Sequence, residues 1–232
     1  MFSYYGSKSK IVDYYPKPRY NRIIEPFAGS ARYSLKYWDN DVTICDKNSD
    51  VIDVWKWLQT CSPNDILGLP KLYKGMDIRF LNITDIERKF LSYFTASGRP
   101  SNIVTKFMDH DNHNQNRYKR IADRLFCIRH WEILRCSYED LQNTEATWFI
   151  DPPYQYGGEH YKESAKNIDF KSLSKWCLSR RGQTIVCENT KANWLPFRPM
   201  VEIQGACQTH TTEAIWSNLP TNYDILQSKL EL

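Results

Sequence analysis

The segment Phe149–Tyr161, FIDPPYQYGGEHY, carries an apolar run into an acid, two adjacent prolines and an aromatic. Proline fixes its own φ and pushes the residue before it toward extended backbone. Asp151 and Pro152 are therefore both held extended, with the carboxylate aimed outward from a strand end. Such a turn suits a ligand gripped at the strand end, and equally a tight strand exit. Two residues elsewhere occupy comparable places: Gly29 follows the apolar run RIIEPF, and Asp46 closes the run DVTICD. Glycine in a strand-to-helix turn lets backbone approach a ligand closely, and an acid about 20 residues further on is placed to hold ribose hydroxyls. The pair points to a nucleoside-containing cofactor. Gly29 stands alone without GxGxxG, so an ordinary turn, with Asp46 capping the helix that begins near Asn48, accounts for the same residues.

The order of elements puts these residues on one edge. RIIEPF (22–27) reads as a strand, ARYSLKYW (31–38) as a helix, DVTICD (41–46) as a strand and NSDVIDVWKWLQ (48–59) as a helix. That alternation predicts an α/β fold on a mostly parallel, Rossmann-like sheet with right-handed crossovers, whose ligands bind beyond the carboxyl ends of the strands. Glu25, Gly29, Asp46 and Asp151 all fall at such ends. The alternation lapses over residues 60–135, where CSPNDILGLP is broken by Pro and Gly, DIERKFLSYFTA reads as a helix and NRYKRIADRLFCIRHW as a strongly basic one. The pattern resumes with WEILRCS, ATWFI, the helix DFKSLSKWCLSRR, and the strands QTIVCE, MVEIQG and TEAIWSN. The expected organisation is a catalytic domain of residues 1–59 and 136–232 with a mostly helical insertion at 60–135.

At 232 residues, 41% hydrophobic, the chain can bury a sizeable core, which excludes disordered and fibrous classes. No apolar run approaches the roughly 18 residues of a membrane helix, and MFSYYGSKSK lacks the order of a signal peptide, so an intracellular protein without a membrane partner is expected. Seven scattered cysteines without CxxC give neither a zinc framework nor a disulfide scaffold. His110 and His113 in MDHDNHNQNR read as part of a polar loop, and no metal is expected. The net charge of +4 is concentrated: residues 60–135 carry roughly five more bases than acids, while the remainder is near neutral. A polyanionic partner fits that distribution, as does one amphipathic helix with a solvated basic face.

Five segments occur together and in order: YYGSK (4–8), EPFAGSARYSL (25–35), CDKNSDVI (45–52), CSYEDL (136–141) and DPPY (151–154). In this series the chain resembles the DNA adenine methylase (Dam-type) family, enzymes that move a methyl group from S-adenosylmethionine to N6 of adenine. The resemblance spans most of the chain; residues 60–135 match only in position and basic character. It implies that Tyr4, Lys8, Phe27, Gly29, Asp46 and Asp151 contact the cofactor. It also implies that Asp151, Pro152 and Tyr154 carry catalysis and that the basic insertion, through residues such as Arg117, Lys119 and Arg120, holds double-stranded DNA. Ser7 and Ala31 stand where the family often has glycine, which implies altered cofactor contacts. Ser137 and Tyr138 fall at a substrate-side motif, and Asn112, Asn114, Gln115 and Asn116 carry amides of the kind that read purine edges.

The implied chemistry explains the stiff turn. The lone pair of an adenine amino group is delocalised into the ring, and acceptors at the Asp151 carboxylate and the Pro152 carbonyl favour a pyramidal nitrogen. The base must leave the duplex, costing a few kcal/mol, and stacking on Tyr154 returns about 1–3 kcal/mol. The same geometry serves cytosine N4, an RNA base or a protein amide, and a nonenzymatic nucleic-acid-binding relative would share the fold. The recognition sequence, the oligomeric state and a role in restriction–modification or in a mobile element are not encoded in these motifs.

Overall fold

The computed structural model describes residues 1–2, 8–96, 100–105, 111–157, 165–204 and 210–220, with side chains left aside at 111–114, 203–204 and 210. Among them seven strands form one sheet: β1 (Arg22–Glu25), β2 (Asp41–Cys45), β3 (Glu132–Leu134), β4 (Ala146–Ile150), β5 (Gly182–Asn189), β6 (Arg198–Gln204) and β7 (His210–Ser217), in the order β3-β2-β1-β4-β5-β7-β6. The first five are parallel neighbours, and β7 runs antiparallel between β5 and β6. The order 3-2-1-4-5 is that of a doubly wound Rossmann-like sheet, so the α/β expectation holds. Strand order reverses between β1 and β4, and the crevice beyond their carboxyl ends is the binding position such sheets offer.

Local sequence explains these elements. All five residues of β4, ATWFI, are buried, as a central parallel strand covered on both faces requires. Gly182 opens β5 at φ +95°, and a Cβ there would meet the Ala146 carbonyl oxygen at 2.2 Å, so only glycine admits the β4–β5 pairing. Helix α1 (Arg32–Lys36) follows β1. Helix α2 (Ser49–Thr60) follows β2, with the Asn48 side chain accepting from the Asp50 N–H at its start. Its buried Val51, Ile52, Val54, Trp55 and Leu58 face the sheet at helical spacing. Helix α6 (Phe170–Leu178) enters through an Asp169 cap and leads to β5.

The middle of the chain supplies α3 (Pro63–Leu67), α4 (Asp85–Thr95) and α5 (Asp111–Ala122). Reciprocal capping boxes start two of them, Ser62 with Asp65 and Thr84 with Glu87. The basic helix begins earlier than its apolar spacing suggests and stops at Ala122; a 3-10 turn, Leu125–Ile128, then leads to β3. Strand β3 thus comes from the last residues of the segment expected as an insertion. The helices share the sheet's core: Ile66, Leu72, Ile78, Phe90 and Tyr118 lie in one buried cluster with Ile23, Ile44 and Trp55. Lys89 on α4 pairs with Asp50 at 2.9 Å and Asp53 at 2.7 Å on α2, fixing the two helices side by side.

Candidate active site

The turn after β1 is built around a glycine and held by two side chains. Gly29 has φ +44°, its N–H donates to Asp46 Oδ2 at 3.0 Å, and its carbonyl accepts from the buried Trp55 indole at 2.9 Å. Asp46 Oδ1 accepts from the Asn48 N–H at 2.8 Å. The helix cap is Asn48 itself, so Asp46 ties the β1 turn to the β2 turn across two adjacent strand ends. Ala31 lies in the left-handed region at φ 43°, ψ 51°. The glycine common at this position in the family suits that backbone; alanine there costs about 1–2 kcal/mol, offset in part by burial of its methyl group at 1% exposure. Phe27, half-buried, packs against Tyr138 with ring centroids 5.4 Å apart, and Tyr138 meets Trp176 edge-on at 5.0 Å. Tyr138 therefore stands beside the β1 turn. Tyr4 and Ser7 lie outside the described residues.

Glu25, at the end of β1, turns inward. It is 3% exposed, and its Oε2 accepts from the Ser34 N–H at 3.1 Å and the Ser34 hydroxyl at 2.6 Å, which anchors α1. Burial pushes its carboxyl up to about 8, against the pull of the Ser34 hydrogen bonds.

Across the switch point, Asp151 follows β4 and ends in a cluster of polar groups. Lys8 Nζ lies 3.0 Å from Asp151 Oδ1 and 3.3 Å from Glu213 Oε1. The Tyr154 hydroxyl donates to Glu213 Oε1 at 2.5 Å and accepts from Lys8, whose ammonium sits 4.5 Å from the ring centre of Tyr154. Tyr15 donates to the same Glu213 oxygen at 2.5 Å. Burial raises the Asp151 carboxyl to about 6, Lys8 pulling it down and Glu213 adding to the rise. One fifth of the Asp151 side chain stays exposed, so the residue lies at the edge of the buried cluster. Burial also drives the Tyr154 hydroxyl well above the ordinary tyrosine range, which keeps it a neutral donor. Pro152 is buried, and the next turn is locked by Glu188, which accepts from the Gln155 N–H at 2.6 Å and the Trp194 indole at 3.2 Å.

Residues 4–96 match the family model of the D12 class N6 adenine-specific DNA methyltransferases. Over that stretch, which is less than half of the chain, the sequence is similar to that class. The match takes in the Lys8 segment, the Gly29 turn and Asp46 and ends before β4, so the roles of Asp151 and Tyr154 rest on sequence and geometry. Two solved structures show a weak similarity. HI0767 of Haemophilus influenzae, provisionally designated a methylase, is 13% identical with a TM-score of 0.38, covering 86% of this chain and 80% of its own. The yhhF protein of Escherichia coli, provisionally designated a methyltransferase, is 10% identical with a TM-score of 0.34, covering 90% and 78%. Likeness this loose transfers no residue role. A search of curated proteins gives no match.

The structure brings Lys8, Asp151 and Tyr154 into contact, and Gly29 to Asp46, at neighbouring strand ends. It separates the basic residues of α5. The Arg117 guanidinium lies 5.0 Å from the Phe94 ring centre, half-buried, so Arg117 packs the insertion together instead of facing outward. Lys119 and Arg120 are exposed, Lys119 pairing with Asp123 at 3.2 Å. Other bases that made the segment basic also serve the fold. Arg88 donates to the carbonyls of Ile78, Leu81 and Ile83, and Arg129 donates to those of Gln59 and Cys61. His110 lies outside the described residues, as do the side chains of Asn112, His113 and Asn114. Among the described residues no group of three or more His, Cys, Asp or Glu is arranged to hold a metal, and no helix is long and apolar enough to cross a membrane.

Sequence reading missed Tyr15, Glu188 and Glu213. The last left a signal: in the alternating strand TEAIWSN, Glu213 shares a face with Ile215, an acid where an apolar residue belongs, and it is 4% exposed.

Proposed function

We propose that the protein methylates N6 of adenine in double-stranded DNA, with S-adenosylmethionine bound at the β1 and β2 turns and the base amine presented to Asp151. One observation carries the reading: the held Gly29–Asp46 turn and the Asp151 turn flank the same switch point from adjacent strands, β1 and β4. The residues of the β1 side fit a nucleoside. A glycine at positive φ admits close approach, the Asp46 carboxylate stands at the next strand end, and the Phe27–Tyr138 pair offers a half-buried aromatic wall. When bound, S-adenosylmethionine supplies a methyl group made electrophilic by its sulfonium.

The chain's own residues act on the amine. Lys8 takes Asp151 Oδ1, so the second carboxylate oxygen and the Pro152 carbonyl are the acceptors offered to the two amino hydrogens. Accepting both localises the nitrogen lone pair toward the β1 side. With the cofactor held at the β1 and β2 turns, methyl transfer would place positive charge on the amine nitrogen, the sulfur of the cofactor keeping the electron pair of the broken bond. A fixed anion stabilises that charge without acting as a strong base, and the amino proton then passes to water. Tyr154 is pinned by its hydroxyl, and its ring stands beside the carboxylate as the wall for a flipped base. Residues 1–59 and 136–232 form the catalytic part on this reading. The segment 60–135 meets DNA through the exposed Lys119 and Arg120, supported by Arg117 from within.

Asp151→Ala tests the reading. The variant should retain cofactor and DNA binding, with cofactor affinity reduced far less than the rate, and lose methyl transfer by at least about a hundredfold, the usual cost of one preorganised electrostatic partner. Wild-type rates in a folded Asp151→Ala protein would remove Asp151 from the reaction.

A further inference from the structure

We propose that Glu213 is a positioning residue that balances the charge of Lys8, so that Asp151 meets the base amine as part of a net anionic cluster. The proposal rests on the methyl-transfer reading for its purpose, although its first test does not. One oxygen, Glu213 Oε1, receives the hydroxyls of Tyr15 and Tyr154, each at 2.5 Å, and the Lys8 ammonium at 3.3 Å. Lys8 is itself 7% exposed and 3.0 Å from Asp151. Lys8 and Asp151 alone make a neutral pair. An ammonium so close to the reacting nitrogen would oppose the positive charge that grows there during methyl transfer. A second carboxylate leaves one negative charge over the three groups, and the fixed hydroxyls of Tyr15 and Tyr154 keep it in place. Acceptance of two tyrosine hydroxyls requires only an acceptor, which a glutamine would provide. Balance of Lys8 requires a charge, and that difference separates positioning from packing.

The titratable groups coupled electrostatically to Asp151 come from several elements: Lys8 from the N-terminal turn, Tyr15 ahead of β1, Glu25 on β1, Tyr154 on its own turn, Cys187 and Glu188 on β5, and Glu213 on β7. Of these, Lys8 holds the Asp151 carboxyl down and Glu213 raises it. Removing each should therefore move Asp151 in opposite directions.

The measurement is a carbon-13 carboxylate NMR titration of Asp151 in the cofactor-free full chain, the resonance assigned with Asp151→Asn. Glu213→Gln should lower the Asp151 midpoint by roughly one pH unit, and Lys8→Gln should raise it by roughly as much. In assays with DNA and S-adenosylmethionine, the acid limb of kcat should move the same way in each variant. Glu213→Gln should lower plateau kcat by roughly tenfold or more with KM for the cofactor within about twofold, and Glu213→Asp should restore part of the rate. An Asp151 midpoint that stays in place or rises in Glu213→Gln overturns the proposal. Should that variant fail to fold, Lys8→Gln decides, and absence of an upward movement overturns it. Because the titration needs neither DNA nor cofactor, failure of the wild-type protein to methylate adenine would count against the functional reading and leave the charge coupling to stand or fall by itself.

Discussion

At the scale of single residues, two carboxylates at strand ends have opposite duties. Asp46, half-buried, has both oxygens joined to backbone N–H groups, of Gly29 and Asn48, which fixes its charge between the β1 and β2 turns, the place the proposed function gives to a ribose. Asp46→Asn keeps the shape and removes the charge, so cofactor affinity should fall about tenfold or more, matching the 1.5–3 kcal/mol of a charged hydrogen bond. Unchanged affinity by calorimetry would free Asp46 from that role. Glu25 faces the core, and its carboxyl, raised by burial to about 8, is neutral at pH 7. A carboxyl raised on folding contributes stability that is fully present below its unfolded value of 4.5 and is lost as pH rises through about 8. Thermal unfolding of the wild type should therefore drop in midpoint from about pH 5 to about pH 9, by an amount worth a few kcal/mol, whereas Glu25→Gln should show a flatter profile. Parallel profiles for the two proteins would mean that Glu25 is ionised within the fold.

At the scale of elements, α5 divides its bases between packing and solvent. Arg117 leans on Phe94, while Lys119 and Arg120 are exposed. Neutralising Lys119 and Arg120 together should weaken DNA binding and reduce the slope of log affinity against log salt by about 1–2, with little change in melting temperature. Arg117→Ala should instead lower the melting temperature. Equal salt slopes for the double variant and wild type would assign the α5 face to solvent. Strands and helices with strong periodicity were legible: β2, α2, β4 and α4 fall within a residue or two of their apolar patterns. Helix α3 was hidden because CSPNDILGLP carries its signal in a capping box and not in apolar spacing, and the break after Ala122 was hidden because Leu125, Cys127 and Ile128 continue the apolar run. Basic composition does not tell fold from surface for a physical reason: Arg88 and Arg129 donate to backbone carbonyls, a use that a count of charges in the sequence does not register.

At the scale of the whole molecule, a Rossmann-like sheet with β7 antiparallel gathers residues from positions 8, 15, 151, 154 and 213 into one cluster. The part of that cluster on the parallel strands was legible, since Asp-Pro-Pro-Tyr sits at a predictable strand end, as does the separate Gly29–Asp46 pair. The part supplied by β7 was not, because only the tertiary arrangement of an antiparallel strand beside β5 brings Glu213 to Lys8. The central claim is that this cluster directs a methyl group to the amino nitrogen of adenine. Its most direct test is mass spectrometry of nucleosides from duplex DNA of varied sequence, incubated with the wild-type protein and S-adenosylmethionine carrying a deuterated methyl group. The account predicts labelled N6-methyladenine, no labelled N4-methylcytosine, and loss of the label with Asp151→Ala. Labelled methylcytosine alone, or no labelled nucleoside from any duplex, would contradict it.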